Sequence, residues 1–241
     1  MIPVRLSIVV PAFNEACRLP STFRRFASFC EGRPGTEVLF VNDGSVDKTG
    51  AVLEGFAREH PYIRTLHNVT NRGKGYAVRQ GAMEVKGEWI LMTDADLSTP
   101  LDEIEKLFTA AVDSGASIAI GSRALDRRLV GLHQSAAREW SGRFFNVAMR
   151  TITGLPFRDT QCGFKLYRRE AAGVVFPRQR RNGFGADVEN LVIARVHGLR
   201  VVEVPVRWDN VPGTRVGPLS GARAFSDLLV VRVNELRGLY R

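Results

Sequence analysis

Two aspartates that follow an apolar run are the residues best suited to chemistry in this chain of 241 residues. Asp94 and Asp96 come directly after residues 89–93, a run that predicts a buried strand. Where the backbone turns, carboxylates two residues apart can hold one ligand. Mg²⁺ or Mn²⁺ takes one or two carboxylates together with phosphate oxygens and water. The pair therefore predicts a divalent-metal site, with a solvated surface acid or a helix cap as the alternative.

Two further acidic residues follow apolar runs in the same way. Glu15 follows residues 6–11, and Asp43 follows residues 37–41. Ligands of open α/β sheets bind outside the carboxyl ends of the strands, so we expect both side chains at the edge that carries the aspartate pair. Four carboxylates at one edge repel one another unless a cation or hydrogen-bond donors compensate them.

The elements that would position these residues alternate between strands and helices, which is the pattern of a parallel sheet with crossover helices. Predicted strands cover residues 6–11, 37–41, 63–67, 89–93 and 117–121, and predicted helices cover residues 17–30, 48–60, 75–85 and 101–113. The turn at residues 71–75 would place a helix N-terminus, which favours anions, beside the same edge.

The second half of the chain is less regular. It predicts a basic amphipathic helix over residues 135–153, strands over 164–167 and 201–206, a helix over 186–197, a loop over 211–221 and a closing helix over 222–239. Because no repeat or linker divides the chain, we expect one domain over residues 1–221 and a C-terminal amphipathic helix over residues 222–241.

Positive charge is concentrated in one stretch. The chain has 34 Lys and Arg against 25 Asp and Glu; residues 123–181 contain 13 basic and 4 acidic residues, and the remaining 21 of each sign cancel. Such a stretch favours an anionic partner, namely a nucleic acid, an anionic lipid or a phosphorylated substrate. A solvated basic surface is the alternative.

The cysteines and the apolar runs indicate the cellular compartment of the protein. Cys17, Cys30 and Cys162 have no metal-ligand or Cys-x-x-Cys spacing, which predicts reduced thiols in a cytosolic protein. No apolar run approaches the ~20 residues that span a bilayer. Any contact with a membrane is therefore expected to be peripheral.

Four blocks of the first half stand in a fixed order: Ser7-Ile-Val-Val-Pro-Ala-Phe-Asn-Glu15, Val41-Asn-Asp-Gly-Ser-Val-Asp-Lys-Thr49, Asn71-Arg-Gly-Lys-Gly75 and Thr93-Asp-Ala-Asp96. In residue identity, order and spacing they resemble the motifs of the inverting GT-A glycosyltransferases of family 2. The resemblance implies a Rossmann-like α/β fold, in which helices flank a mixed sheet. It also implies a nucleotide-sugar-binding half over residues 4–125 and an acceptor half over residues 126–221.

The same resemblance implies a donor site with a divalent metal held by Asp94 and Asp96. The residues implied in donor binding are Pro11, Asn14, Glu15, Asp43, Arg72, Lys74, Asp94, Ala95 and Asp96. The residue types agree with these roles. Glu15 and Asp43 can accept hydrogen bonds from uracil or ribose, and Arg72 and Lys74 can balance negative charge.

Blocks of the second half narrow the resemblance. Asp159-Thr-Gln-Cys-Gly-Phe-Lys-Leu-Tyr167 and Glu203-Val-Pro-Val-Arg-Trp208 are similar to polyprenyl-phosphate hexose synthases. Thr93-Asp-Ala-Asp-Leu-Ser-Thr-Pro100, Gln161 and Val211-Pro-Gly-Thr-Arg-Val-Gly-Pro218 are similar to dolichyl-phosphate β-glucosyltransferases. Dolichyl-phosphate mannose synthases more often have Gln where this chain has Ser98, which favours UDP-glucose over GDP-mannose.

A polyprenyl phosphate would be an anionic partner for the basic stretch. Its anionic head lies at the membrane surface, so its site should be cationic and border an apolar surface. Candidate acceptor-binding residues are Arg123, Arg127, Arg128, Arg138, Gln161 and Arg215. Residues 135–153 mix arginines with large apolar residues, as an interfacial helix does, although packing on the sheet is the commoner fate of such a stripe. We expect a cytoplasmic protein that touches the anionic inner face of the membrane.

The implied reaction is one displacement at the anomeric carbon by a phosphate oxygen of the lipid, with inversion. The metal and Lys74 would stabilise the diphosphate leaving group. The residues implied in catalysis are Asp96, Lys74, Asp187, Glu189 and Arg207. For Asp187 and Glu189, a place on the helix surface is the alternative.

Other functions stay open at this point. Within enzymes, they are a GDP-mannose-dependent polyprenyl-phosphate mannose synthase and a family 2 transferase with a saccharide acceptor. A nucleotidyltransferase or an inactive protein on the same scaffold is a third possibility. A basic nucleic-acid-binding module is the non-enzyme alternative; no nucleic acid is expected, because the chain has no recognisable DNA- or RNA-reading motif.

Overall fold

The computed structural model describes residues 5–131, 146–211 and 218–241, with the backbone alone described for residues 218–225. A seven-stranded sheet with the order β3-β2-β1-β4-β6-β5-β7 forms its centre. The strands are β1 (Leu6–Ala12), β2 (Thr36–Asn42), β3 (Ile63–His67), β4 (Trp89–Met92), β5 (Ile118–Ser122), β6 (Lys165–Arg168) and β7 (Val201–Pro205). β6 is antiparallel to both of its neighbours, β4 and β5, and the other pairs are parallel. The predicted mixed sheet is confirmed.

Helices cover both faces of this sheet. They are α1 (Leu19–Glu31), α2 (Thr49–Glu59), α3 (Lys74–Glu84), α4 (Ile104–Ser114), α5 (helical residues 146–153), α6 (Arg169–Arg178), α7 (Ala186–Val196) and α8 (Pro218–Leu236). Single 3₁₀ turns stand at Leu101–Glu103 and Arg127–Leu129.

The core lies on both sides of the sheet because the strands are apolar on both faces, as parallel strands between two helix layers are. Every residue of β2 is buried. On one side Phe26 of α1 and Leu107 of α4 pack against the strands. On the other side Ala77 of α3, Leu191 of α7 and Leu228 of α8 do so. The sheet therefore holds the ends of its strands rigidly.

Two features of the second half differ from the prediction. α6 was not predicted. α8 begins at Pro218, inside the predicted loop, rather than at residue 222, because proline suits the first position of a helix. Leu228, Val231 and Tyr240 belong to the core cluster that contains α7. The predicted division between residues 221 and 222 therefore falls inside a helix that packs on the domain.

The predicted helix over residues 135–153 is described only in part. Residues 146–153 are helical, whereas residues 135–145, with Arg138, lie outside the described residues, as does Arg215. Across the described ranges, no helix has both the length and the apolar composition needed to cross a bilayer.

Candidate active site

A tight turn after β4 carries the two predicted metal ligands. The backbone N–H of Leu97 donates to the carbonyl of Asp94 (3.1 Å), and the N–H of Ser98 donates to Oδ1 of Asp96 (2.9 Å). Leu97 has φ 49°, in the left-handed region that side chains disfavour. Its side chain is buried in the core, which holds this backbone in place. The chain therefore turns at the aspartate pair, as two carboxylates directed at one ligand require.

The first turn of α3 brings Lys74 to this pair. Nζ of Lys74 lies 2.5 Å from Oδ1 of Asp94. Gly73, the residue before the helix, has φ 107°, and a Cβ there would lie 2.5 Å from the carbonyl oxygen of Asn182. Only glycine fits that position without strain. The backbone conformation at Gly73 thus allows Lys74 to reach the edge of the sheet that carries the aspartate pair.

Asp43 holds the loop that delivers Lys74. Its carboxylate accepts from the backbone N–H of Gly73 (2.7 Å), from the N–H of Arg72 (3.1 Å) and from Nδ2 of Asn68 (2.9 Å). Asp43 is only 2% exposed. These bonds fix the loop that precedes Lys74. They give Asp43 a structural role that does not depend on a bound nucleoside.

The charges of Lys74 and Asp94 stabilise each other. Burial acts to lower the pKa of Lys74, but the carboxylates of Asp94 and Asp187 raise this pKa above its usual range. Burial acts to raise the pKa of Asp94, but the ammonium groups of Lys74 and Lys165 and the guanidinium group of Arg123 lower it. Both groups are therefore charged at neutral pH.

Lys165 was not predicted as a site residue, although it stands in the block at residues 159–167. It is 2% exposed. Its Nζ donates to the carbonyl of Cys162 (2.7 Å) and to the carboxylate of Asp187 in the first turn of α7. In the strand register Lys165 is opposite Met92, next to the turn that carries Asp94. A lysine inside an otherwise apolar strand was the available signal, since lysine is rarely buried without a partner.

A second basic residue, Arg18, lies at the other carboxylates. Its Nη1 is 3.1 Å from Oε2 of Glu15 and 3.9 Å from Oδ2 of Asp96. Glu15 is fixed by its backbone N–H, which donates to Oγ1 of Thr49 (2.7 Å). Arg18 was not predicted, because it stands just after the block that contains Glu15.

The remaining donor candidates of the first half shape the edge. Pro11 lines the cavity beside Asp94, and Ala95 is buried. Asn14 has φ 55°, and its Oδ1 accepts from the N–H of Val46 (2.9 Å), so it ties two loops together. Nη1 of Arg72 donates to the hydroxyl of Tyr76 (2.6 Å), and the guanidinium lies 3.8 Å from the centre of that ring.

The arrangement fits a divalent cation that arrives with a diphosphate. Asp94 and Asp96 each face a basic side chain, Lys74 and Arg18 respectively, which shows that both carboxylates attract positive charge here. No group of three or more His, Cys, Asp or Glu side chains within the described ranges is arranged to hold a metal. Two carboxylates completed by phosphate oxygens and water are the ligand set that Mg²⁺ commonly takes.

Glu189 does not lie with Asp187. It is fully buried; Oε2 accepts from the N–H groups of Arg180 (2.9 Å) and Arg181 (2.6 Å), and Oε1 accepts from the hydroxyl of Tyr240 (2.7 Å). Burial raises the pKa of this carboxyl. Residues two apart lie roughly 200° apart around a helix. The two acids therefore face different surroundings, and the geometry gives Glu189 a structural position.

Arg207 is paired away from the aspartates. Its Nε donates to Oε1 of Glu103 (2.7 Å) and its backbone N–H donates to Oε2 (3.1 Å), and half of the side chain is exposed. Glu103 is buried. The structure thus joins Arg207 to the 3₁₀ turn at Leu101–Glu103 and does not bring it to Lys74.

The described acceptor candidates form two groups. Arg123 binds Asp159 with both Nε (2.6 Å) and Nη2 (2.8 Å), and the N–H of Gln161 donates to the same carboxylate (3.2 Å). Arg127 and Arg128 stand on the 3₁₀ turn after β5, where Arg128 pairs with Asp126.

Much of the basic stretch that favoured an anionic partner is used inside the fold. Lys165 and Arg123 have carboxylate partners, and Arg181 pairs with Asp227. Arg169 donates to the carbonyls at positions 85 and 87. Charge concentration in the sequence therefore overstated the charge that is available to a ligand.

Comparisons with known proteins identify the family and the fold. The family model described as Glycosyl transferase family 2 matches residues 7–176. Dolichyl-phosphate beta-glucosyltransferases from Homo sapiens and Saccharomyces cerevisiae are 36% and 31% identical to this chain. Each alignment covers 98% of this chain, together with 78% of the human protein and 76% of the yeast protein.

A solved structure also matches the fold. It is glucosyl-3-phosphoglycerate synthase from Mycobacterium tuberculosis in complex with Mn²⁺, UDP and glucosyl-3-phosphoglycerate, with a TM-score of 0.65 and 17% identity. The match covers 97% of this chain and 80% of that chain. At this identity it bears on the fold alone, and the expected GT-A architecture is confirmed.

Proposed function

This chain belongs to glycosyltransferase family 2, and from that premise we propose that it transfers glucose from UDP-glucose to a polyprenyl phosphate of the dolichyl type, with inversion at the anomeric carbon. The observation that carries the proposal is the Lys74–Asp94 pair at the end of β4. The similarity to dolichyl-phosphate beta-glucosyltransferases over nearly the whole chain supports the donor sugar and the acceptor class. A nucleic-acid-binding module is not retained, because the family is one of transferases.

On the donor side, Asp94 and Asp96 would hold Mg²⁺ or Mn²⁺. The bound metal would neutralise part of the negative charge on the diphosphate as it leaves. Lys74 is charged and held at the same place by Asp94, so its ammonium group can stabilise the leaving group without reorganising. Arg18, beside Asp96, is a further cation that a diphosphate would meet.

On the acceptor side, we propose that arginines bind the phosphate of the lipid. A phosphate monoester carries negative charge at neutral pH, so attack needs no strong general base. Arg123 is oriented by Asp159, and its charge persists because Asp159, against the effect of burial, raises its pKa. Arg127 and Arg128 extend the cationic surface to the exposed turn. We propose that the protein meets the anionic inner face of the membrane peripherally through this side.

The test is product identification from labelled donors. The purified protein is incubated with radiolabelled UDP-glucose or GDP-mannose and a short polyprenyl phosphate in detergent, with Mg²⁺, with Mn²⁺ or with chelator, and the products are separated by thin-layer chromatography. We expect a glucosylated lipid phosphate from UDP-glucose, with a β linkage by NMR and no product under chelation. A mannosylated lipid would support the mannose synthase instead. No lipid product with either donor would overturn the lipid-phosphate acceptor.

A further inference from the structure

A small cavity opens beside Asp94 between the sheet and two helices. Three elements contribute a pair of side chains each: Lys165 and Tyr167 from β6, Asp187 and Asn190 from α7, and Lys74 and Val78 from α3. Each pair follows from the period of its element. Residues two apart share a face of a strand, and residues three or four apart share a face of a helix. The cavity therefore results from the way β6, α7 and α3 pack.

Asn190 is the unexplained member of this lining. It is 4% exposed, and within the parts of the chain that the structure describes its Oδ1 has no hydrogen-bond partner. A buried acceptor without a donor is costly, and because Asn190 lines an open cavity, a group that enters the cavity can supply the missing donor. The partner must supply an O–H or an N–H.

The charges around the cavity are paired with one another in this structure. Lys74 is paired with Asp94, and Lys165 is paired with Asp187, so the two ammonium groups and two carboxylates cancel. An ionised phosphate also has no hydrogen to donate to Asn190. A neutral hydroxyl group satisfies both requirements, because it can donate to Oδ1 of Asn190 and accept from Nζ of Lys165.

The size and position of the cavity narrow the choice of hydroxyl group further. The cavity has a volume of about 20 Å³, which is room for one group of the size of a water molecule or a hydroxyl. It opens at Asp94, where the diphosphate end of the donor would lie. The hydroxyl groups nearest to a diphosphate in a nucleotide sugar are those of the transferred hexose.

We propose that this cavity receives one hydroxyl group of the donor hexose, with Asn190 as acceptor and Lys165 as donor, and that Asn190 thereby selects the sugar. The inference rests on the proposed function in one respect, which is that the donor is a nucleotide sugar. It adds a specificity-determining residue that is separate from the metal ligands.

The first experiment compares two changes that each replace a side-chain amide by an apolar group. Asn190→Leu removes the acceptor in the cavity. Gln80→Leu is the matched control, because Oε1 of Gln80 is also buried and without a partner in the described structure but does not line the cavity. For Asn190→Leu we expect kcat/KM for UDP-glucose to fall about tenfold or more, whereas UDP affinity, measured by calorimetry, is unchanged. The control keeps both values.

The second experiment identifies the hydroxyl with monodeoxy analogues of UDP-glucose. One analogue should lose about tenfold in kcat/KM with the natural protein and lose nothing further with Asn190→Leu, because the group that it lacks no longer has its acceptor. Asn190→Asp keeps an acceptor oxygen and should restore the sensitivity to that analogue. It also serves if the leucine variant fails to fold.

Two results would overturn the inference. One is an Asn190→Leu protein with unchanged kcat/KM, which would leave an ordered water as the occupant. The other is a parallel loss of UDP affinity, which would place the effect on the nucleotide or the fold. Both can occur while glucose is still transferred to the lipid phosphate, so they do not touch the proposed function. Absence of glucose transfer would instead refute the proposed function, and the analogues would then be made from the hexose that is used.

Discussion

Two sets of carboxylates in this molecule have opposite environments. Asp94 and Asp187 are paired with lysine ammonium groups at the cavity, and their side chains are 40% and 21% exposed. Asp43 and Glu189 are buried, and each accepts two or more hydrogen bonds, mainly from backbone N–H groups of a neighbouring loop. The sequence analysis assigned all four to the functional site, Asp43 and Asp94 to donor binding and Asp187 and Glu189 to catalysis.

The two environments differ in whether the carboxylate can exchange its partner for a ligand. An ammonium group on a flexible stem can exchange its carboxylate for a ligand, whereas a backbone N–H cannot move without moving its loop. A carboxylate held by backbone therefore builds the site, and a carboxylate held by lysine or arginine is available to it. The predictions below test that distinction.

The largest effect is expected on the side of the exchangeable carboxylates. Asp96→Asn removes a proposed metal ligand, and we expect kcat/KM to fall about 10²–10³-fold, or about 3–4 kcal/mol of transition-state stabilisation, with an unchanged thermal midpoint. Asp102→Asn, at an exposed acid of the next turn, is the control. Equal activity of the two variants, measured as product formed from UDP-glucose, would contradict the metal-ligand assignment.

Glu189→Ala tests the other set. It leaves two backbone N–H groups and the Tyr240 hydroxyl without their acceptor, so we expect the free energy of unfolding in urea to fall by about 2–4 kcal/mol. Turnover per folded molecule should persist at low temperature. Glu170→Ala, on the exposed face of α6, should change neither quantity. Lost turnover with normal stability would return Glu189 to catalysis.

Glu103 shares features of both sets, because it is buried and accepts from a backbone N–H but is also paired with Lys106 and Arg207. The pH dependence of stability measures its contribution. Burial acts to raise the pKa of Glu103, but hydrogen bonds from Lys106, from the Arg207 side chain and from the Arg207 backbone lower it below 4.5. Its stabilisation is therefore fully present above pH 4.5 and is lost as the pH falls through the folded-state pKa. Glu103→Gln should be less stable by about 2 kcal/mol at neutral pH and should lose less stability than the natural protein on acidification. Urea unfolding at a series of pH values measures both, and parallel curves would refute the assignment.

The smallest effect is expected from a single hydroxyl. Tyr240→Phe removes one donor to Glu189 and should cost about 1 kcal/mol of unfolding free energy. In the Glu189→Ala background the same change should cost less, because its partner is already absent. Additive losses in this double-mutant cycle would show that the two side chains stabilise the protein independently.

A large part of the fold could be predicted from the sequence. Each strand of the first half is a short apolar run bounded by turn residues, and a buried strand needs such a run wherever it is. The donor edge followed from the same patterns, because Glu15, Asp43 and Asp94 come after parallel strands whose carboxyl ends meet at one edge. The place of Lys74 followed from the family resemblance of the block at residues 71–75, and the structure adds that Gly73 and Gly75 allow the close approach of the loop at residues 182–183.

The partners of these residues were not predictable in the same way. Arg18 reaches Asp96 only because α1 begins beside the metal turn. Lys165 reaches Asp187 because β6 inserts antiparallel between β4 and β5, and pairing at that distance in sequence leaves no local pattern. Asn190 enters the cavity through its spacing from Asp187, which becomes informative only when the buried face of α7 is known.

The strands and the acidic residues that follow them were thus evident from the sequence, since these depend on local periodicity and on which residues end a strand. Only the tertiary structure decided which carboxylates are available. Asp187 and Glu189 differ by two residues along one helix, yet one faces Lys165 and the other faces the backbone of a loop. That choice depends on the rotation of α7 against the sheet and α8, which is fixed by packing over the whole domain and not by any local run of residues.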